Sequence, residues 1–192
     1  SYVGLDKSAQ YISNFGINIE YSDKNMTIAL GATANGVSPV DIAKAYSVFA
    51  CGGKKYDDGL IKFISADDRK IYVKDDTSHP VLRKSTADIM TYALKNTAAE
   101  GTAKTLSALP FQVAAKTGTA QRADGNNSDA WCASYNQEYT VVVWHGSSKG
   151  MSEKGGGLPT KQCLAVWKEI EKLHTLSQNF EYSDDVAACD ID

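Results

Sequence analysis

Long apolar runs are missing from this chain of 192 residues. No run approaches the roughly 20 consecutive apolar residues that a membrane-spanning helix needs, and the first residues lack the pattern of a signal peptide. We therefore expect any membrane anchor to lie outside this chain. An excess of basic residues is also missing, since the net charge is -3, and this argues against nucleic acid as a partner.

Cysteine and histidine are scarce. The four cysteines fit neither a zinc site nor a Cys-x-x-Cys redox motif, and the three histidines lack the partner pattern of a triad or a metal site. The sequence therefore predicts no metal and no cofactor. We expect Cys51 and Cys163 on apolar faces of helices and Cys132 in a strand. Each is interpreted as a small buried side chain, with disulfides as the alternative.

The sequence does contain enough apolar material for a core, because 43% of its residues are hydrophobic. Three strand-like runs late in the chain are flanked by helical patterns, which predicts an α+β domain with a mainly antiparallel sheet. Ser38-Pro39-Val40-Asp41 has the capping side chains and the proline that are typical of a helix start. Ser85-Thr86-Ala87-Asp88 is interpreted as a second capped helix start. The predicted elements are helices over 5–15, 38–51, 85–101 and 159–174, a hairpin of 60–64 with 70–73, and strands over 111–119, 130–135 and 139–145.

The most informative segment is Lys116-Thr117-Gly118-Thr119, which follows the apolar run 111–115. Lys-Thr-Gly is one of three motifs that together mark serine penicillin-binding proteins and β-lactamases. Because side chains alternate along a strand, Lys116 and Gly118 are predicted on one face of a sheet and Thr117 and Thr119 on the other. A glycine in this position would let a substrate backbone lie against the strand.

The two companion motifs are absent. No serine of this chain has a lysine three residues later, so Ser-x-x-Lys is missing. Ser134-Tyr135-Asn136 and Ser177-Gln178-Asn179 match Ser-x-Asn in letters, but both follow Lys-Thr-Gly, whereas the family order places that motif before it. We interpret both matches as coincidences and expect the nucleophile upstream of this chain.

Other polar and aromatic side chains near the motif are less specific. Trp131 and Trp144 are predicted as anchors of the core rather than as substrate contacts. Asp129 and Arg122 are candidates for the rim of a cleft, with charges in a solvated loop as the simpler interpretation.

Several segments together resemble the transpeptidase domain of a class A, bifunctional penicillin-binding protein. They keep the family's order and spacing from about residue 16 to residue 167. The matching segments are Leu30-Gly31-Ala32, residues 36–46 with their Gly-Val-Ser-Pro start, Phe49-Ala50, Gly52-Gly53, Glu100-Gly101-Thr102-Ala103, Asp129-Ala130-Trp131 and Val143-Trp144-His145-Gly146. The chain departs from the family at Cys132, where an aromatic residue is common, and at Ala115, where glycine is usual.

The resemblance implies the fold of penicillin-binding proteins and serine β-lactamases, incomplete because its upstream part is absent. Residues 1–174 would form the C-terminal part of the transpeptidase domain, and residues 175–192 a polar tail. Lys116 and Thr119 would be catalytic: Lys116 supplies positive charge beside the Ser-x-Asn serine, and the Thr119 backbone N–H joins the oxyanion hole. Thr117, Gly118 and Thr119 would bind the substrate, whose carboxylate the two hydroxyls hold.

The implied activity is that of a serine D,D-transpeptidase that cross-links peptidoglycan stem peptides and is acylated by β-lactams, with the isolated chain inactive. Its partners would be stem peptides, β-lactams and the upstream half of the same domain, at the extracytoplasmic face of a bacterial membrane. The alternatives are a penicillin-sensing receptor domain, a non-catalytic relative, a class B transpeptidase and a D,D-carboxypeptidase. A short β-lactamase would leave the Gly-Val-Ser-Pro segment unexplained.

Overall fold

The computed structural model of this chain describes residues 3–56, 59, 61–121, 125–146 and 157–186. Within these ranges the helices are α1 (Leu5–Asn14), α2 (Pro39–Ala50), α3 (Lys84–Ala99) and α4 (Leu158–Leu173). The strands are β1 (Lys54–Tyr56), β2 (Phe63–Ala66), β3 (Arg69–Val73), β4 (Ser78–Pro80), β5 (Ala114–Gln121), β6 (Asn127–Tyr135) and β7 (Thr140–Gly146). Short 3-10 helices span Tyr21–Asp23, Met26–Leu30 and Lys104–Ala108. In the described part of the chain, no helix has the length and apolar character to cross a membrane.

The central feature of the fold is an antiparallel sheet of β5, β6 and β7, in that order. Lys116 pairs with Ala133 and Gly118 pairs with Trp131, without a bulge between them. Since side chains alternate between the two faces, Lys116 and Gly118 lie on one face and Thr117 on the other. The predicted alternation along the motif is confirmed.

Helices cover both faces of this sheet. α4 and the 3-10 helix Lys104–Ala108 pack on the face that carries Thr117, and α2 and α3 pack on the face that carries Lys116. The larger core lies under α4 and includes the completely buried Trp167. The smaller core lies under α2 and α3 and includes the buried ring of Tyr135. The prediction of an α+β fold with an antiparallel sheet flanked by helices is thus confirmed.

The start of α2 follows the predicted capping pattern, and the start of α3 does not. The Ser38 hydroxyl accepts a hydrogen bond from the Asp41 N–H at 3.1 Å, and the Asp41 carboxylate accepts one from the Ser38 N–H at 3.3 Å. Pro39 occupies the first position of the helix. α3 begins at Lys84, so Ser85 lies inside the first turn and does not cap it.

Asp88, the expected acidic partner of that cap, holds the C-terminal segment instead. Its carboxylate accepts hydrogen bonds from the N–H and hydroxyl of Ser183, at 2.8 and 2.6 Å, and from the Lys84 ammonium at 2.9 Å. The ring of Phe180 packs 6.0 Å from the ring of Tyr135. The segment predicted as a polar tail therefore packs against the domain over part of its length, and the boundary between domain and tail stays a prediction.

The predicted strands are present with shifted bounds. The hairpin of β2 and β3 turns at Asp67 and Asp68, both of which have positive φ. β5 begins at Ala114, three residues later than predicted, because the Gln112 N–H donates to the carbonyl of Gln178 and not to β6. β6 begins three residues earlier than predicted. The pair of β1 and β4 was not predicted, since three-residue strands carry too little periodicity.

The described cysteines are free thiols. Cys132 and Cys163 are completely buried between β6 and α4, as predicted. Cys51 is exposed, so its predicted burial is wrong. It is the C-terminal cap of α2 and lies where the chain leaves the helix, beyond the buried stripe.

Candidate active site

Strand β5 carries the motif from the core to the surface. Ala114 and Ala115 are completely buried, whereas Lys116 and Thr119 are exposed. Ala114 belongs to the core under α2 and α3, and Ala115 to the core under α4. The two alanines therefore pack into cores on opposite faces of the sheet, and this packing fixes the position of the strand where the motif begins.

β5 is an edge strand within the described part of the chain. β6 pairs with one side of it, and no described strand pairs with the other. One hydrogen bond in the turn after β6 shows which way the backbone groups of this strand point. The Asn136 N–H donates to the Tyr139 carbonyl at 3.0 Å, so the backbone groups of Asn136 point toward β7. Since these directions alternate along a strand, even-numbered residues of β6 point their N–H and C=O groups toward β7, and odd-numbered residues point theirs toward β5.

The pairing of β5 with β6 then gives the direction of the backbone groups in the motif. Lys116 and Gly118 lie opposite odd-numbered residues of β6, so their backbone groups complete the ladder. The N–H and C=O groups of Thr117 and Thr119 therefore point to the free edge. The position of the Thr117 carbonyl agrees with this direction, because it accepts a hydrogen bond from Lys116 Nζ at 2.7 Å.

A positive charge lies at the same edge. The Lys116 side chain leaves the sheet on the face of α2 and α3, and its exposed ammonium turns back to the Thr117 carbonyl. Outward N–H groups and a cation next to each other form a surface that attracts an anion. The free edge of β5 is therefore suited to bind a carboxylate or a developing oxyanion.

The Thr117 hydroxyl has a partner that the sequence analysis missed. Its Oγ1 lies 2.6 Å from Oγ1 of Thr102. Thr102 follows a turn after α3, in which Gly101 approaches Thr97 so closely that a Cβ would lie 2.9 Å from the Thr97 Cα. The Glu100–Ala103 segment was a recognisable signal, but its letters do not indicate which strand the threonine reaches.

Gly118 is half-buried and lies opposite Trp131. A Cβ at this position would meet the Trp131 Cβ at 3.4 Å, which is an ordinary van der Waals contact. Packing within the described sheet therefore leaves room for a small side chain here. The missing side chain keeps this face of the strand open beside the motif.

The sheet beside Gly118 carries an aromatic pair, of which Trp131 is half-buried and Trp144 is exposed. Trp144 lies opposite Trp131, with ring centroids 6.0 Å apart, and its Nε1 donates to the Asp129 carboxylate at 2.8 Å. Trp144 is 43% exposed, so the prediction that it anchors the core is wrong. Its indole lies over the end of the sheet, where a Cβ at Gly146 would come within 2.4 Å of it. Trp131, Trp144 and Asp129 are named the tryptophan patch below.

The other sequence candidates lie elsewhere or have structural roles. Ser134 is completely buried, and its hydroxyl accepts from Trp167 Nε1 at 2.8 Å and donates to a backbone carbonyl. The Ser177 hydroxyl donates to the Glu138 carboxylate. Arg122 lies outside the described residues. Among the described residues, no group of three histidine, cysteine, aspartate or glutamate side chains could hold a metal ion.

Fold and motif together define a class of protein. An α+β domain that presents Lys-Thr-Gly on a strand of its sheet is typical of the serine enzymes that react with penicillins. Residues 3–162 match the family model of the penicillin-binding protein transpeptidase domain, and the chain belongs to this family. The predicted resemblance is confirmed.

Curated relatives agree with the predicted class. Penicillin-binding protein 1F of Bacillus subtilis is 31% identical over 150 residues, which are 77% of this chain and 21% of that protein. Penicillin-binding protein 2a of Streptococcus pneumoniae is 30% identical over 147 residues, 75% of this chain and 20% of that protein. Penicillin-binding protein 1A of Neisseria gonorrhoeae is 28% identical over 178 residues, 89% of this chain and 22% of that protein. These relatives are class A penicillin-binding proteins, and the chain spans about a fifth of their length.

Solved structures match the fold. The penicillin-binding protein PonA1 from Mycobacterium tuberculosis has a TM-score of 0.79 and 24% identity, over 96% of this chain and 53% of that chain. PonA1 in complex with penicillin V has a TM-score of 0.71 and 23% identity, over 92% of this chain and 51% of that chain. The fold described above thus corresponds to about half of each of these structures.

Proposed function

We propose that this chain is the C-terminal part of a serine D,D-transpeptidase that cross-links peptidoglycan stem peptides and is acylated by β-lactams. The nucleophilic serine and the Ser-x-Asn motif belong to an upstream part of the same domain. The observation that carries the proposal is the free edge of β5, where Thr117 and Thr119 direct backbone N–H groups outward beside the Lys116 ammonium.

Thr119 serves the reacting carbonyl group. When a serine attacks the penultimate D-Ala carbonyl, negative charge develops on the carbonyl oxygen, and a fixed N–H donor stabilises that charge. The Thr119 N–H is suited to this role because it points to the free edge while the ladder to β6 holds the strand from the other side. Loss of one such donor typically raises the barrier by about 3 kcal/mol.

Lys116 and Thr117 serve the terminal carboxylate of the stem peptide. A carboxylate accepts hydrogen bonds only, so it needs donors and a positive charge. The Lys116 ammonium supplies the charge, and the hydroxyls of Thr117 and Thr119 supply donors on the same stretch of strand. Gly118 leaves space for the substrate backbone between them. A β-lactam carries a carboxylate in a similar position relative to its reactive carbonyl, so the same groups recognise both ligands.

The upstream half of the same domain completes the site. The described residues leave large apolar side chains exposed, and such a surface is suited to pack against another part of the protein. Trp144 of the tryptophan patch is 43% exposed, and Phe63 and Ile71 of the β2–β3 hairpin are 50% and 67% exposed. This chain covers 53% of the PonA1 structure, which supports an upstream half of about the same size as this chain.

The substrate places the protein outside the cytoplasm. Peptidoglycan stem peptides lie beyond the cytoplasmic membrane, so we propose an extracytoplasmic location with the anchor outside this chain. A PonA1 structure holds penicillin V, which supports β-lactams as ligands of the present protein.

Intact-mass spectrometry with benzylpenicillin tests the proposal. We expect no adduct on the isolated chain, and a stable adduct on a serine of the upstream segment when both parts are folded together. Lys116→Met in the complete domain should slow acylation strongly, whereas Lys168→Met on the exposed side of α4 should not. An adduct on the isolated chain would contradict the proposal, and a complete domain that never reacts would indicate a non-catalytic relative. A long-lived adduct without any cross-linking of stem peptides would instead indicate a penicillin-sensing receptor.

A further inference from the structure

The turn that follows α3 brings a second threonine to the motif. Thr102 Oγ1 and Thr117 Oγ1 are 2.6 Å apart, a distance typical of a hydrogen bond between hydroxyls. None of the roles proposed above uses Thr102. Its position next to the carboxylate-binding hydroxyl raises the question of what it contributes.

Thr102 is held in place by its backbone. The Gly101 N–H donates to the carbonyls of Asn96 and Thr97 at the end of α3, and the Ala103 N–H donates to Thr97 as well. Ala103 is completely buried in the core under α4. The side chain of Thr102 is therefore presented to β5 by a fixed turn, whether or not its hydroxyl makes a hydrogen bond.

The number of protons determines the direction of the hydrogen bond. A hydroxyl donates one hydrogen and can accept two, whereas a carboxylate only accepts. Only one proton can lie between the oxygens of Thr102 and Thr117. If the Thr117 hydroxyl donates its single proton to a ligand carboxylate, the proton between the two threonines must come from Thr102.

We propose that Thr102 is a positioning residue that donates to Thr117 and so directs the Thr117 hydroxyl proton toward the ligand carboxylate. The inference rests on the proposed function, because it assumes that Thr117 binds that carboxylate. The chain of two hydroxyls polarises the terminal O–H group, since each hydrogen bond strengthens the next. Without Thr102, the Thr117 hydroxyl rotates freely, and its proton no longer points preferentially toward the ligand carboxylate.

The experiment measures acylation of the full-length protein by benzylpenicillin and by its methyl ester, which lacks the carboxylate charge. We expect Thr102→Val to lower the acylation rate with benzylpenicillin about three- to tenfold, the effect of one lost hydrogen bond. Thr102→Ser should restore the rate. With the ester, Thr102→Val and the unaltered protein should react equally. Thr105→Val, which removes a hydroxyl from the same connection, is the matched control.

Further variants separate this inference from the proposed function. Thr117→Val should lower the rate with benzylpenicillin, and adding Thr102→Val to it should cause no further loss, because the two hydroxyls act as a unit. Normal acylation by Thr102→Val would overturn the inference, as would an equal loss with acid and ester. If Thr102→Val does not fold, Thr102→Ala and Thr102→Ser are compared in the same way. If Thr117→Val has no effect or the full-length protein does not react, the proposed function fails and this inference fails with it.

Discussion

The two halves of β5 have opposite environments although they are one continuous strand. Ala114 and Ala115 are completely buried between two cores, and their small side chains allow helices to approach from both faces. The strand then leaves the core, and four residues after Ala115 the exposed Thr119 lies at an edge that no described strand pairs. The buried half fixes the position of the strand, and the exposed half presents its backbone and side chains.

This comparison explains how an exposed segment can keep a fixed geometry. An isolated surface strand would lose its geometry, because nothing would hold its unpaired side. Here the ladder to β6 and the two clamped alanines restrict the strand, while alternate N–H groups stay available at the other edge. The buried half should therefore control stability and the exposed half should control reactivity.

Trp167→Ala tests the buried half. The indole is completely buried under β6, packs 5.7 Å from the ring of Phe111 and donates to Ser134. Its loss leaves a cavity and removes the hydrogen bond that the Ser134 hydroxyl accepts, so we expect a loss of about 4 kcal/mol of folding free energy. Thermal unfolding of the complete transpeptidase domain measures the effect. Lys168→Ala, on the exposed side of the same helix, is the control, and an equal loss in both variants would contradict the assignment.

Thr119→Pro tests the exposed half. Proline has no N–H, and on an edge strand it is tolerated where that N–H does not belong to the ladder. We expect penicillin acylation to fall about 100-fold or more with the fold retained, since the proposed oxyanion donor is lost. Thr119→Val, which keeps the N–H, should lose much less.

Gly118→Pro is the complementary variant. The Gly118 N–H points into the ladder with β6, so the same substitution one residue earlier should destabilise the sheet itself. Stability and acylation rate are compared for both proline variants. If both lose the same amount of stability, the deduced direction of the backbone groups is wrong.

Asp88→Asn tests a polar contact that lies away from the motif. Burial by itself raises the pKa of Asp88, but the hydrogen bonds from Ser183 and Lys84 outweigh it and leave the pKa below its usual value. A carboxyl group with a lowered pKa stabilises the fold above its unfolded pKa of about 4, and this stabilisation is lost as the pH falls through the folded pKa. We expect Asp88→Asn to cost about 2 kcal/mol near neutral pH and less in acid. Unfolding curves at several pH values measure this, and a difference that stays constant with pH would contradict it.

Thiol labelling of the folded protein should distinguish exposed from buried cysteines among the described residues. Cys51 is exposed and should react with an alkylating reagent in the folded protein. Cys132 is completely buried, and the hydrogen bond with the Cys163 thiol and burial raise its pKa, so it should react only after unfolding. Peptide mass spectrometry measures the labelling. Cys51→Ser should change the stability by less than about 0.5 kcal/mol, and early labelling of Cys132 would show that α4 opens from the sheet.

Local features of this molecule could be predicted from the sequence. The cap of α2 was predicted correctly because Ser38 and Asp41 are three residues apart and act within one turn. The cap of α3 was predicted wrongly because the helix begins at Lys84, and the Asp88 carboxylate binds instead to Ser183, 95 residues away. A cap can be predicted from residues that are close in the sequence. A hydrogen-bond partner from a distant segment cannot be predicted in this way.

The same limit applies at the candidate site. The motif and its alternation followed from residues 116–119, since a strand fixes which side chains share a face. The contact between Thr102 and Thr117 and the exposure of Trp144 did not follow, because the first depends on how a turn is placed and the second on where the helices end.

The Lys-Thr-Gly motif, the family and the order of the longer elements followed from the sequence, because these depend on residue types and short periodicities. The sequence did not predict that Thr119 faces an edge that no described strand pairs, or that Thr102 lies beside Thr117. These properties depend on strand pairing and on packing between distant segments, and many pairings are compatible with the same local pattern until a single core satisfies all of them together.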